Sequence, residues 1–331
     1  MDPNVLMVEP RSSPSIEVRA ARNSLRGRGR RILITGGAGF LGVNAAMHLI
    51  ADGWHVTVLD NLSRPGTERN LKWLITEHPT ETTFVLEDVR IANAVTEHVK
   101  GQDAILHLAV TPPLLDPTTD FDVNARGTLN MLEAARLHNP EAPFLFASTS
   151  RVYGKLDKSN GPCKESHPVD FNSPESSSKA AADQYVRDYA SNFDMNTVVL
   201  RLGSIYGPHQ YGTEDQGWVA HFVHSILNNR PLTIYGDGTQ VRDLLDARDL
   251  IALCATVIEK IDKARGRVYN VGGGSRAGVD TTRPGGPGDG ARPGAEGGGR
   301  PMGTAVPRRI GRHVHPDAHP ETSHAEPSAP G

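Results

Sequence analysis

The sequence predicts an α/β fold, a doubly wound parallel sheet with helices on both faces, followed by a smaller and looser C-terminal part. Three observations predict it. Short apolar runs alternate with helical patterns as far as Leu202. A glycine-rich segment joins the first run to the first helical pattern, and the second run ends on an acid, Asp60. Parallel strands need crossover connections, and the intervals between the runs are long enough to supply helices.

Taken in order, Arg31-Ile-Leu-Ile-Thr35 reads as a buried strand, then Gly36 to Gly42 opens a helix that runs to Ala51. His55 to Asp60 is the second strand, Thr83 to Asp88 the third and Ala104 to Ala109 the fourth. Residues 121–138 are helical, Phe144 to Thr149 is the fifth strand, residues 176–192 are helical, and Thr197 to Leu202 is the sixth strand. The pattern then loosens. Trp218 to Asn229 reads as a helix, Leu232 to Tyr235 as a short strand, Asp249 to Ile261 as a helix with Asp249 near its start, and Val268 to Val271 as a last strand. No internal repeat is visible.

Composition marks the ends off from this middle. The chain has 331 residues, 35 Lys+Arg against 38 Asp+Glu and a formal charge of −3, so nothing suggests nucleic acid or an acidic membrane as a partner. No apolar run is long enough to cross a bilayer. The two cysteines, Cys163 and Cys254, are far apart. That spacing excludes a disulfide scaffold or a cysteine-based zinc site, predicts no metal, and fits a reducing, cytoplasmic setting. Residues 272–331 hold 15 Gly and 9 Pro with no Leu and no aromatic residue. Such a stretch buries too little surface to offset its chain entropy. The expected organisation is a disordered arm at 1–30, a cofactor domain at 31–203, a partial substrate domain at 204–273 and a disordered tail at 274–331. The N-terminal segment, with six arginines from Arg19 to Arg31, reads as a solvated arm rather than a transit peptide, because it also contains Asp2, Glu9 and Glu17 and lacks a clear amphipathic helix.

The glycines at 36, 39 and 42 follow a strand, open a helix and precede a strand ending in Asp60, which is the context of a dinucleotide site. Glycine lets the backbone approach a pyrophosphate, and a helix N-terminus offers unpaired N–H groups. Asp60 is suited to ribose hydroxyls and would repel a 2′-phosphate, which favours NAD over NADP. Asp88 would meet an adenine edge or simply cap its strand. His107, inside an apolar strand, reads as structural.

These residues resemble the extended short-chain dehydrogenase/reductase superfamily, with its NAD-dependent epimerases and dehydratases. The likeness lies in Thr35 to Gly42, His107-Leu-Ala109, Ser148-Thr149-x-x-Val-Tyr-Gly154, Ile205-Tyr-Gly-Pro208, Gly236-Asp-Gly238 with Arg242-Asp243, and Asn270-Val-Gly-Gly273. Asp60 to Arg64 with Asn70-Leu-x-Trp-Leu74, Ala181 to Val186, and the long segment Gly207 to Ala220 are similar to the CDP-paratose 2-epimerase branch. The resemblance implies a Rossmann-like domain binding NAD through Gly36, Gly39, Phe40, Leu41, Gly42, Asp60, Asn61, Asp88, Leu108, Ala109 and Lys179. It implies a nucleotide-diphosphate sugar as substrate, a CDP-sugar being favoured, touched by Thr149 and Arg242. It implies a homodimer built on the helices at 121–138 and 176–192, and epimerisation by oxidation of a sugar hydroxyl and re-reduction on the opposite face.

The family's base is a Tyr four residues before the Lys. Counting back from Lys179 gives Glu175. Tyr153 is a weak substitute. Glu175 reads either as a reassigned base or as half of an i,i+4 pair with Lys179. After Gly274 the sequence also leaves the family pattern, as a truncation or a change of reading frame would. The alternative function is therefore a cofactor-binding protein with little catalysis. A 4,6-dehydratase ranks third, because Ser150 and Arg151 stand where those enzymes carry an Asp-Glu pair.

Overall fold

The computed structural model describes residues 29–111, 116–155, 163–213, 216–234, 241–274 and 278–280. The expected arm before residue 29, and the tail apart from Gly274 and 278–280, lie outside the described residues.

Seven parallel strands form one sheet: β1 (Arg31–Thr35), β2 (His55–Asp60), β3 (Thr82–Leu86), β4 (Ala104–His107), β5 (Phe144–Thr149), β6 (Thr197–Leu202) and β9 (Val268–Val271). Their order across the sheet is β3-β2-β1-β4-β5-β6-β9. Successive strand residues face opposite sides. On β1, Ile32 and Ile34 enter one core and Leu33 the other, all with no exposure. Helices α1 (Phe40–Ala51), α2 (Thr67–Glu77) and α8 (Ala247–Glu259) supply Val43, Leu49, Leu74 and Leu250 to the first face. Helices α3 (Ala92–Val99), α5 (Gly127–His138) and α6 (Pro174–Asn192) supply Val99, Met131, Leu132 and Val186 to the second. Strands covered on both faces are predominantly apolar, as these are, and the polar side chains they bury, such as His107 and Arg201, are hydrogen-bonded.

The remaining elements are α4 (Pro117–Asp120), a π-helical stretch Phe121–Arg126 that leads into α5, α7 (Trp218–Leu227) and α9 (Ile261–Ala264). A small second sheet joins β7 (Ser204–Tyr206), β8 (Val241–Asp246) and β10 (Gly278–Asp280) in the order β10-β8-β7.

Several sequence expectations change. The third strand stops at Leu86, so Asp88 lies beyond it, and the fourth stops at His107. Residues 231–234 form no strand. Helix α8 starts earlier than expected and is capped by Asp246, whose side chain accepts from Arg248 N, rather than by Asp249. Part of the segment assigned to the substrate domain returns to the cofactor domain: α8 packs in its core and β9 pairs with β6. Within the expected disordered tail, Gly278–Asp280 pairs antiparallel with β8. Helices α2 and α3 occupy stretches that the sequence pattern marks only as crossovers between strands.

One buried ionic cluster ties the second face together. Arg201 on β6 and Asp183 on α6 each have side chains only 2% exposed. Arg201 Nε and NH2 donate to the two Asp183 oxygens at 2.8 and 3.0 Å. Ser148 Oγ donates to Asp183 Oδ2 at 3.0 Å, and Arg201 NH1 to the Tyr153 hydroxyl at 2.7 Å. Tyr153 in turn donates to Asn270 Oδ1 at 2.7 Å, which brings in β9. Removing one partner of such a pair strands the other charge. Asp183→Asn is expected to lower unfolding free energy by about 3–5 kcal/mol in a denaturant titration, and a joint Asp183→Leu, Arg201→Met variant to recover most of that loss.

Candidate active site

The strand order turns back on itself between β1 and β4, and a cleft opens there at the carboxyl ends of the strands, the place where ligands bind in open α/β sheets. Its volume is about 710 Å³. Gly36 to Gly42 forms its floor. Gly36 has φ +65°, and a Cβ there would meet Ala109 N at 2.9 Å. A Cβ on Gly42 would strike the Gly36 carbonyl and Gly37. The turn therefore needs glycine for its own closure, and the first turn of α1, with Gly39 as a cap lacking a side chain, keeps its N–H groups open. Asp60 props this turn. Its Oδ2 accepts from Ala38 N at 3.0 Å and its Oδ1 from Leu62 N at 2.8 Å. Burial raises the Asp60 pKa against these backbone hydrogen bonds.

Asn61 Nδ2 donates to Asp88 Oδ2 at 2.9 Å, and Arg90 grips both Asp88 oxygens at 2.9 and 2.8 Å. Burial pushes the Asp88 pKa up, but Arg90 and Asn61 together overcome it and hold it at about 2. Asp88 thus has its own partners and still borders the cleft. Leu108 N and Ala109 N donate to the Thr35 carbonyl and hydroxyl oxygens at 3.1 and 3.3 Å, which fixes that wall. His107 lies between Thr35 Oγ1 at 2.6 Å and Thr128 Oγ1 at 3.0 Å. Burial, with the nearby Lys179 charge, drives its pKa to about 3. It is a neutral core residue.

At the inner end, Thr149 closes β5 and its Oγ1 accepts from Arg151 N at 3.2 Å. Helix α6 starts on a reciprocal Ser173–Ser176 cap, which sets Glu175 in its first turn and Lys179 one turn on. Lys179 is 3% exposed. Its Nζ donates to Ala147 O at 2.8 Å and lies 4.6 Å from the centre of the Phe146 ring. Burial lowers the Lys179 pKa to about 8, with Glu175 and Asp183 opposing. The expected Glu175–Lys179 pair is not the one formed. Glu175 Oε2 instead accepts from Arg151 NH1 at 2.5 Å. Tyr153 faces Arg201 and Asn270 and does not border the cleft. The π-helical stretch contributes Asn124, whose amide donates to Ser178 Oγ at 3.0 Å and braces α6 beside Lys179.

All of the expected residues except Arg242 border this cleft. Arg242 is exposed on β8, opposite Val279 of β10, and is not among the cleft-lining residues. The far wall includes residues that sequence reasoning did not single out: Arg64, His209, Gln210, Tyr211 and Trp218. Asn44 Nδ2 donates to Pro208 O at 2.9 Å and Asn70 Nδ2 to His209 O at 3.2 Å, so α1 and α2 anchor this wall. Its signal was the length of the Gly207 to Ala220 likeness, which no single residue explained.

Residues 32–272 match the model of the NAD dependent epimerase/dehydratase family. The chain belongs to this family. It is 42% identical over 269 residues to a CDP-paratose 2-epimerase of Salmonella typhi, covering 73% of this chain and 79% of that one. Among solved structures, the UDP-glucose 4-epimerase of Thermus thermophilus in complex with NAD has a TM-score of 0.66 at 33% identity, covering 76% of this chain and 79% of that one. The dTDP-glucose 4,6-dehydratase of Bacillus anthracis in complex with NAD has a TM-score of 0.68 at 31% identity, with 77% and 78% covered. The fold is Rossmann-like, and NAD is the cofactor. The residues present fit it: a side-chain-free turn, an uncapped helix start and an acid at the end of β2 lie around one cleft. Among the described residues, no helix is long and apolar enough to cross a membrane.

The buried lysine makes stability depend on pH. Its pKa is about 8 folded against 10.5 as its ordinary value, so between these values the unfolded chain binds more protons. Stability from this group therefore rises with pH across that window, and the cost of burying the charge is fully present below it. In denaturant titrations of NAD-free protein, the wild type should gain on Lys179→Met by up to about 1 kcal/mol per pH unit above pH ~8.

Proposed function

We propose that the chain is an NAD-dependent nucleotide-sugar epimerase of the CDP-paratose 2-epimerase type, acting on a CDP-sugar. The observation that carries this reading is that Thr149, Glu175 and Lys179 all border the dinucleotide cleft, in a chain 42% identical to such an enzyme. The glycine turn and the start of α1 would hold the pyrophosphate, Asp60 the adenosine ribose and Lys179 the inner end. NAD supplies a reversible hydride acceptor. Epimerisation by this route would need a side chain of the cleft to take up the hydroxyl proton and to return it once the opposite face is presented. Thr149 orients the hydroxyl in this scheme. Exposed apolar groups on and beside α5 and α6, among them Leu137, Tyr185 and Phe193, support pairing of two copies there.

The proton step has no tyrosine at position 175. Glu175 is tied to Arg151, whereas Lys179, with a pKa of about 8, suits both taking and returning a proton near neutral pH. Tyr211 packs at Gly66, beyond β2. The Arg151–Glu175 pair favours a second reading, in which NAD binds but turnover is slight. The dehydratase reading lacks its Asp-Glu pair after Thr149.

Full-length protein, incubated with CDP-paratose and followed by NMR of the sugar with bound NAD measured in parallel, separates these readings. Slow interconversion is expected in the wild type, and Glu175→Tyr should speed it by about 10²–10⁴. An unchanged rate in Glu175→Gln would show that Glu175 is not the base. Bound NAD with turnover in the Tyr variant alone would establish the second reading, and NAD bound without turnover in either would sink the epimerase.

A further inference from the structure

Arg151, Glu175 and Lys179 all border the cleft. Arg151 lies on the short 3-10 turn Ser150–Tyr153 that follows β5, and the other two lie on α6. Residues four apart on a helix are neighbours on its surface, so Glu175 and Lys179 have the spacing to pair. An ammonium has three donors. Among the described residues Lys179 makes one hydrogen bond with them, to Ala147 O at 2.8 Å. The Glu175 carboxylate nevertheless turns to Arg151 NH1, at 2.5 Å.

Solvent decides that choice. The Glu175 and Arg151 side chains are 17% and 57% exposed, so their pair keeps the carboxylate near water, whereas contact with the buried Lys179 would take it further out. Arg151 is held in place by its backbone. Its N donates to Thr149 Oγ1 at 3.2 Å, and its carbonyl accepts from Gly154 N at 3.0 Å. The other charged or titratable groups around Lys179 are engaged. Asp183, further along α6, is taken up by Arg201 of β6 and Ser148 of β5. Asp120 of α4 accepts from the Thr111 hydroxyl at 2.5 Å. His107 of β4 is buried and neutral. Among the described residues, Glu175 is the carboxylate of α6 that is left to serve the ammonium.

We infer that Arg151 is a positioning residue that acts through Glu175: it holds that carboxylate at the rim and so withholds a counter-ion from the buried ammonium of Lys179. An opposite charge within ~4–6 Å favours the charged form of a group, by about 1–3 pH units for a close pair. With Arg151 removed, Glu175 turns to Lys179, and the amine keeps its proton to higher pH. The bearing of this on turnover rests on the epimerase reading, in which Lys179 carries the proton. The exchange of ion pairs does not, and it is measured with neither NAD nor sugar present.

The test is a titration of one amine. Full-length protein, isotope-labelled at its lysine Cε carbons and freed of dinucleotide on charcoal, is followed by NMR as pH is raised. The Lys179 signal is the one lost in Lys179→Met. Its midpoint in the wild type should lie near pH 8. Arg151→Met should raise that midpoint by about one pH unit or more, about a tenfold gain in proton affinity. Arg151→Lys, which returns a cation to Glu175, should bring it back to within about 0.3 pH units of the wild type. Arg151→Met combined with Glu175→Gln should show no rise. Arg151→Gln serves if Arg151→Met does not fold. An unmoved midpoint in Arg151→Met overturns the inference, and so does an equal rise in Arg151→Lys. An equal rise in the double variant also overturns it, by assigning the effect to the Arg151 charge alone, as does a wild-type midpoint at the ordinary lysine value. Absence of turnover with CDP-paratose bears on the epimerase reading alone.

Discussion

The Asp183–Arg201 pair is the contact on which the geometry of the site depends. It joins α6 to β6 directly, and Ser148 binds the same carboxylate from β5. Thr149 is the next residue after Ser148, and Lys179 sits one helical turn before Asp183. A shift in the pair would move both. Two charges buried for this purpose stabilise little in themselves, since a well-packed apolar pair of the same volume often does as well. What they supply is register: only one rotation of α6 meets the fork of Arg201 and also turns Lys179 toward Ala147.

That placement explains the electrostatics of the cleft. Among the described residues no carboxylate forms an ion pair with buried Lys179, and its charge is held by the Ala147 carbonyl and the Phe146 ring. The acid one turn before it, Glu175, is drawn outward by Arg151, a residue 57% exposed at the rim. The usual division of labour between a titrating group and a lysine that supports it is therefore disturbed at both members. The carboxylate is engaged elsewhere, and the lysine has a proton affinity closer to neutrality than an exposed amine.

Much of the fold was legible because buried parallel strands announce themselves as unbroken apolar runs. β1, β2, β5, β6 and β9 fall where those runs predicted. The glycine turn and Asp60 were legible for a different reason, since backbone approach leaves no freedom of residue type. Other features were hidden because they are matters of pairing rather than pattern. Arg201 stands inside an otherwise largely apolar strand, and nothing local in the sequence names Asp183 as its partner. Glu175 and Lys179 have the spacing of a helical ion pair, yet Arg151, distant in sequence, takes the carboxylate. The return of β9 to the large sheet is likewise a long-range fact. Arg242 was read from a motif, and the fold carries it on the smaller sheet, away from the cleft lining.

That late strand has a consequence for how the chain is made. β6 ends at Leu202, and its neighbour β9 begins at Val268. During synthesis from the N-terminus, the growing sheet has an open edge at β6 until the last of these residues emerges. Contacts so far apart in sequence form slowly. A ribosome-bound intermediate would thus display unpaired backbone groups and an Arg201–Tyr153 couple still awaiting Asn270. Selection against aggregation of nascent chains would then act on residues 268–271, though none of them borders the cofactor cleft.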